Sequence, residues 1–290
     1  MQETICSIEG VTKSLSPFYL GPIDLVIEEG SVVVVVGPNG SGKTTLLHTI
    51  MNIVHPDAGA IRLFGRSQSA TDIELKQKIA YVPDLSVGHD EVNAVELGQF
   101  VSEWYPAWNQ PKYDELIQRF QINPHTHFGK LSRGMKKALS LAVSFASEPE
   151  LLLLDEPTSG LDLFAKRILA EEIVQFLQKE TRSILLTTHI LDDVRRLADY
   201  IALLHRGKLL GVYEKDTLLN DWKVLWLDKM PQRIETIPGY VDMIVGTPIQ
   251  LVTNAFQQTE QALIQQNIGI IQTQAMELDD ILTHLIKREG

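Results

Sequence analysis

The run Gly37-Pro38-Asn39-Gly40-Ser41-Gly42-Lys43-Thr44-Thr45 has the composition and spacing of a phosphate grip. Its glycines let successive backbone N–H groups turn inward as a concave anion nest. Lys43 can reach β- and γ-phosphates as a point charge, and the Thr44 hydroxyl can ligate Mg²⁺. A second cluster follows the apolar run Leu151–Leu154. There Asp155 can hold Mg²⁺ through its water shell, and Glu156 is placed to act as general base on an attacking water. His189 ends another apolar run, at Thr187-Thr188-His189, where it could orient the γ-phosphate and the water. Taken singly, an Asp-Glu pair can be a solvated loop start and a lone histidine is usually structural. Together with the phosphate grip they point to a nucleoside triphosphate.

Such groups need rigid elements to carry them. Val32–Val36 precedes the glycine-rich loop directly, and a continuous apolar run of this kind suits a strand buried on both faces of a parallel sheet. Thr45-Leu46-Leu47-His48-Thr49-Ile50 then starts a helix whose N-terminus faces the phosphates. Strands are expected at Gly59–Gly65, Ile79–Val82, Leu151–Asp155, Ile184–Thr188 and Ile201–Leu204. Residues 1–30 read as short strands and turns, and helical spacing recurs in 92–101, 113–120 and 135–146. Ser132, in Leu131-Ser132-Arg133-Gly134, is a candidate N-cap for the last of these. From about residue 216 the pattern changes to short strands near 225–227, 240–245 and 268–271, with helices at 256–266 and 278–287.

The expected fold class is α/β, a P-loop NTPase parallel-sheet core with an antiparallel β segment. A helical subdomain is expected over about 85–147 and a small α+β C-terminal appendage over 216–290, leaving 1–215 as the nucleoside-triphosphatase domain. A net charge of −11 over 290 residues argues against nucleic acid as the main partner. Cys6 is the only cysteine, so no intrachain disulfide can form. No apolar run approaches the ~18–20 residues that cross a bilayer. The N-terminus also lacks the features of a signal peptide, so a soluble chain is expected that meets a membrane only through a partner.

The ordered set GPNGSGKTT, LSRGMKK, LLLLDEPTSGLD and LLTTHILDDVRRLADYIALLHRGKL resembles the ATP-binding-cassette family, over about residues 4–215. The resemblance implies two cassettes facing head to tail with two ATP molecules between them. Gly40, Gly42, Lys43, Thr44 and Thr45 would bind phosphates and Mg²⁺ in cis, while Ser132 and Gly134 would cap the γ-phosphate in trans. It further implies Asp155 as metal support, Glu156 as catalytic base, His189 as γ-phosphate switch and Asp162 as the coupling residue between sites.

The chain departs from the family pattern in three places. Arg133 and Met135 replace the third and fifth residues of the usual Leu-Ser-Gly-Gly-Gln signature. Asp84 stands where the family usually has Gln; it could approach Mg²⁺ or water, at the cost of negative charge beside the phosphates. Leu15 aligns with the aromatic that normally stacks on adenine, and either Phe18 or Tyr19 could substitute, or be core.

The segment Glu103–Asn109, with Trp104 and Trp108, is similar to cassettes of Gram-positive efflux and antibiotic-sensing transporters. The C-terminal Ala275–Leu282 resembles the closing helix of exporter-type cassettes. The leading expectation is therefore an ATPase subunit of a membrane exporter with a separately encoded permease, and a homodimer ahead of a heterodimer. The alternative is a soluble cassette ATPase acting without a permease.

Overall fold

The computed structural model of the chain describes residues 3–68, 72–85, 88 and 90–289. It forms two compact units, Met1–Gly211 and Val212–Gly290. In the first, among the described residues, β1 (Thr4–Leu15), β2 (Phe18–Glu28), β4 (Ala58–Leu63) and β5 (Arg66–Ser67) make an antiparallel sheet in the order β2-β1-β4-β5. Six strands make the second sheet: β3 (Val32–Val36), β6 (Ile79–Val82), β7 (Leu151–Asp155), β8 (Ser183–Thr188), β9 (Tyr200–His205) and β10 (Lys208–Glu214). Their order is β10-β9-β3-β8-β7-β6, and every pairing from β9 through β6 is parallel. This is the α/β fold expected from the buried apolar runs. All five residues of β3, all five of β7 and all six of β8 are buried.

The N-terminal region departs from the short strands and turns expected there. β1 and β2 are long and pair almost throughout their length. Gly10 has φ of 57° and sits where the register shifts between Ile8 and Val11. A bulge absorbs the extra residue and the strand continues.

Helix α1 (Lys43–Ile50) places Leu46, Leu47 and Ile50 in one core with Val33, Val35, Leu151 and Leu153. Helix α2 (Ile73–Gln77) precedes β6. The helical segment holds α3 (Ala94–Ser102), α4 (Gln110–Arg119) and α5 (Arg133–Ala146), capped by Asn93, Asn109 and Ser132 respectively. Then come α6 (Leu163–Phe176), capped by Asp162, and α7 (Leu191–Leu197). Glu172 of α6 is buried and paired with both Lys112 and Arg119, which fastens α4 to α6.

The second unit contains α8 (Lys215–Asp221), β11 (Lys223–Leu227), β12 (Tyr240–Ile244), β13 (Ile249–Thr253), α9 (Phe256–Gln265), β14 (Ile270–Ala275) and α10 (Leu278–Glu289). Its sheet is antiparallel in the order β12-β13-β11-β14. Leu225, Leu227, Leu251 and Leu263 form its core. β13 lies outside the sequence expectation: Ile249-Gln250-Leu251-Val252-Thr253 is short and follows Pro248 without a clear alternation. Among the described residues, no helix is long and apolar enough to cross a membrane.

Candidate nucleotide-binding site

The P-loop lies between β3 and α1, at the carboxyl ends of the parallel strands, where open α/β sheets bind ligands. Gly42 is the N-cap of α1 at φ of 107° and supplies no side-chain cap. The first-turn N–H groups of α1 therefore remain available to an anion, with the helix dipole behind them. Close packing dictates glycine at two points. A Cβ at Gly37 would lie 2.1 Å from the Leu204 carbonyl oxygen, and one at Gly42 would lie 2.7 Å from the Phe18 ring.

A cleft of about 450 Å³ opens over this loop, lined by Leu15, Phe18, Asn39, Gly40, Gly42, Lys43, Thr44, Thr45, Asp84 and Glu156. Lys43 is buried, and its ammonium donates 2.8 Å to the Gly37 carbonyl and 3.3 Å to that of Pro38. It also stands 3.3 Å from Glu156 Oε1. Among the described residues the buried Ser41 hydroxyl has no hydrogen-bond partner, an orphan donor within the loop that phosphate oxygen would satisfy.

Asp155 ends β7 and is buried, with its two oxygens each accepting one hydroxyl: Thr44 Oγ1 at 2.7 Å and Thr187 Oγ1 at 2.5 Å. This all-oxygen donor set suits Mg²⁺, which binds through one or two protein oxygens together with phosphates and water. Glu156 leaves the strand at φ of 45°, a left-handed conformation that costs a non-glycine residue of order 1–3 kcal/mol and recurs at functional sites. Its amide donates 3.0 Å to the Thr187 carbonyl, while Oε2 lies 2.9 Å from His189 Nδ1. Lys43, Glu156 and His189 thus form one connected polar line, and the half-exposed His189 ring is its outer end.

The remaining candidates lie elsewhere. Ser132 caps α5, accepting from the Met135 amide at 3.2 Å. Gly134 packs so closely on the next loop that a Cβ would meet the Gly160 carbonyl oxygen at 2.4 Å. Asp162 accepts from the Ala165 amide at 2.8 Å as the cap of α6. None of these three lines the cleft. Of the two aromatics, Phe18 faces the cleft beside Leu15, whereas Tyr19 is exposed outside its lining.

Two features were beyond the sequence reading. Asp84 and Arg133, two separate departures from the family pattern, meet: Arg133 Nη2 lies 3.1 and 3.4 Å from the two Asp84 oxygens. Lys137 is buried to 1% exposure and donates to the carbonyls of Pro83 at 2.6 Å and Asp155 at 3.0 Å. Burial pushes its pKa down to about 8, against the opposing pull of the Asp84 and Asp155 charges. The signal in sequence that could have found it is the basic cluster Arg133, Lys136 and Lys137 at the start of α5.

A family model described as "ABC transporter" matches residues 20–159. The ABC transporter ATP-binding protein YtrB of Bacillus subtilis (strain 168) is 34% identical over 203 residues, covering 70% of this chain and 69% of that protein. The chain belongs to the ABC transporter ATP-binding proteins. Like other members of that family, this cassette binds ATP and is an ATPase. The cassette is also similar to the Nod factor export ATP-binding protein I of Rhizobium sp. (strain N33), at 29% identity over 228 residues, 76% of this chain and 74% of that one. A solved structure titled "Structure of ATP binding subunit of ABC transporter" superposes with a TM-score of 0.69 at 26% identity, covering 75% of this chain and 92% of that one.

Proposed function

We propose that the cassette hydrolyses Mg·ATP to power a separately encoded membrane permease, in the export direction, by closing as a pair of identical copies. The observation that carries this reading is the polar line Lys43–Glu156–His189 set against the P-loop cleft, with Thr44 and Asp155 beside it. Lys43 and the first-turn amides of α1 would bind the phosphates. Glu156 would accept a proton from the water that attacks the γ-phosphorus, as the bond to the bridging oxygen breaks and ADP leaves. His189, hydrogen-bonded to Glu156, would hold that carboxylate and the water in line. Mg²⁺, held by Thr44 and Asp155, would neutralise phosphate charge.

Ser132 and Gly134 of one copy would close the site of the other, and Asp162 would link the two sites. Their placement outside their own chain's cleft supports that trans role. Residues 1–215 would be the ATPase part and 216–290 an accessory domain. Export is supported by the relative named for Nod factor export, and membrane association by the family's transporter role. The −11 net charge supports the absence of a nucleic-acid partner.

The test uses tagged Glu156→Gln protein. ATP turnover should fall about 10²–10³-fold while ATP binding persists, because only the base is lost. With Mg·ATP the variant should run as a dimer in light scattering and retain a polytopic protein from gently solubilised host membranes. Unchanged turnover would remove Glu156 as the base, and recovery of cytosolic partners alone would remove the permease.

A further inference from the structure

Asp84 and Glu156 line one cleft that must admit a polyanion, and Asp155 lies buried behind its Thr44. Two of these carboxylates are answered close by, Asp155 by Thr44 and Thr187, and Glu156 by Lys43 and His189. Asp84 is answered from α5. Arg133 Nη2 reaches both of its oxygens and lies 3.2 Å from Ser159 Oγ, in the loop that follows Glu156. Lys137, one turn further along α5, stands 3.8 Å from Asp84 Oδ1. Lys137 is committed to two carbonyls, so Arg133 is the cation whose main partner is Asp84.

An unpaired carboxylate at this rim would repel phosphate, and the repulsion would be felt most when no divalent cation offsets it. We propose that Arg133 is a positioning residue for nucleotide binding: it neutralises and holds Asp84, so that the cleft accepts a nucleoside diphosphate or triphosphate before its divalent cation. The Arg133–Asp84 pair thereby sets how strongly nucleotide affinity depends on the metal. The inference rests on the reading of this cleft as the nucleotide site and adds a regulator to it. Both side chains reach solvent, with relative exposures of 55% and 36%, so substitution leaves the core intact.

The probe is fluorescent mant-ADP, titrated onto the full chain in EDTA and again in excess Mg²⁺. Arg133→Ala should weaken metal-free binding about tenfold and Mg²⁺-loaded binding by no more than about threefold, as screening by the cation predicts. Asp84→Asn should bind metal-free probe at least as tightly as the parent, and the double variant should recover parental metal-free affinity. Arg133→Lys should retain part of the effect.

Equal losses with and without Mg²⁺, no loss at all, or an Asp84→Asn defect matching that of Arg133→Ala would overturn the inference in favour of a purely structural pair. Failure of the parent itself to bind mant-ADP in Mg²⁺ would instead overturn the nucleotide site. The two failures are therefore distinguishable.

Discussion

Thr187 is fully buried, with its hydroxyl 2.5 Å from Asp155 Oδ1 and 3.3 Å from the Glu156 amide. It therefore fixes both the carboxylate under the P-loop and the backbone that launches Glu156. Thr187→Val keeps the shape but deprives a buried carboxylate of one of its two donors, a loss of about 1–3 kcal/mol. The expected result is a lower urea midpoint and about tenfold slower ATP turnover, because Glu156, the proposed base, loses its placement. Thr187→Ser keeps the hydroxyl and should stay within about threefold of the parent on the same scale. Equal behaviour of the two variants would show that the hydroxyl is idle. The place of Lys43 and Glu156 at the cleft was legible in sequence because it follows from residue type and local spacing after two apolar strands. Thr187 was not, since its partnership arises from the parallel register that sets Asp155 opposite Thr187, and no local pattern states which strands are neighbours.

At the scale of elements, the strand order β9-β3-β8-β7 brings the ends of β3, β7 and β8 to one edge, and the cleft forms there. The apolar runs made those strands readable, because strands buried on both faces have little alternative use for five consecutive aliphatic residues. The bulged β1 and the short β13 were less legible, because no local pattern states that β1 continues through a bulge at Gly10 or that the five residues of β13 lie between β12 and β11. The loop after β7 and the start of α5 are likewise a tertiary contact. Backbone meets backbone so closely there that a Cβ on Gly134 would stand 2.4 Å from the Gly160 oxygen. Neither side can rotate away, so Gly134→Ala must shift the loop that carries Asp162. Its expected cost is about 1–3 kcal/mol, or a few degrees in melting temperature. Gly246→Ala, whose new methyl would meet nothing nearer than 3.5 Å, is the matched control and should melt with the parent. A Gly134→Ala protein as stable as that control would mean that this contact is slack.

For the molecule as a whole, Glu148 is a carboxylate through which acid should act. It joins segments distant in sequence: Asn109 at the cap of α4 donates to it at 3.1 Å, Lys179 at 3.1 Å, and Arg182 before β8 is its closest partner. Burial opposes the charged carboxylate, but the hydrogen bonds from Arg182, Asn109 and Lys179 outweigh it and hold the pKa down to about 2. A folded pKa below the unfolded value gives stability that is complete above the unfolded value and is lost as pH falls toward the folded one. Glu148→Gln should therefore be less stable than the parent at pH 7, by about 1–2 kcal/mol after allowance for solvent screening. That gap should hold down to about pH 4.5 and close progressively between there and about pH 2. Urea midpoints of both proteins, measured in steps from pH 7 to pH 3.5, read the gap directly. The net charge of −11 also changes over this range, but it changes almost equally in both proteins and so cancels in the difference. A gap that stays constant to pH 3.5 would mean that Glu148 keeps an ordinary pKa, and the acid sensitivity would then belong to another carboxylate.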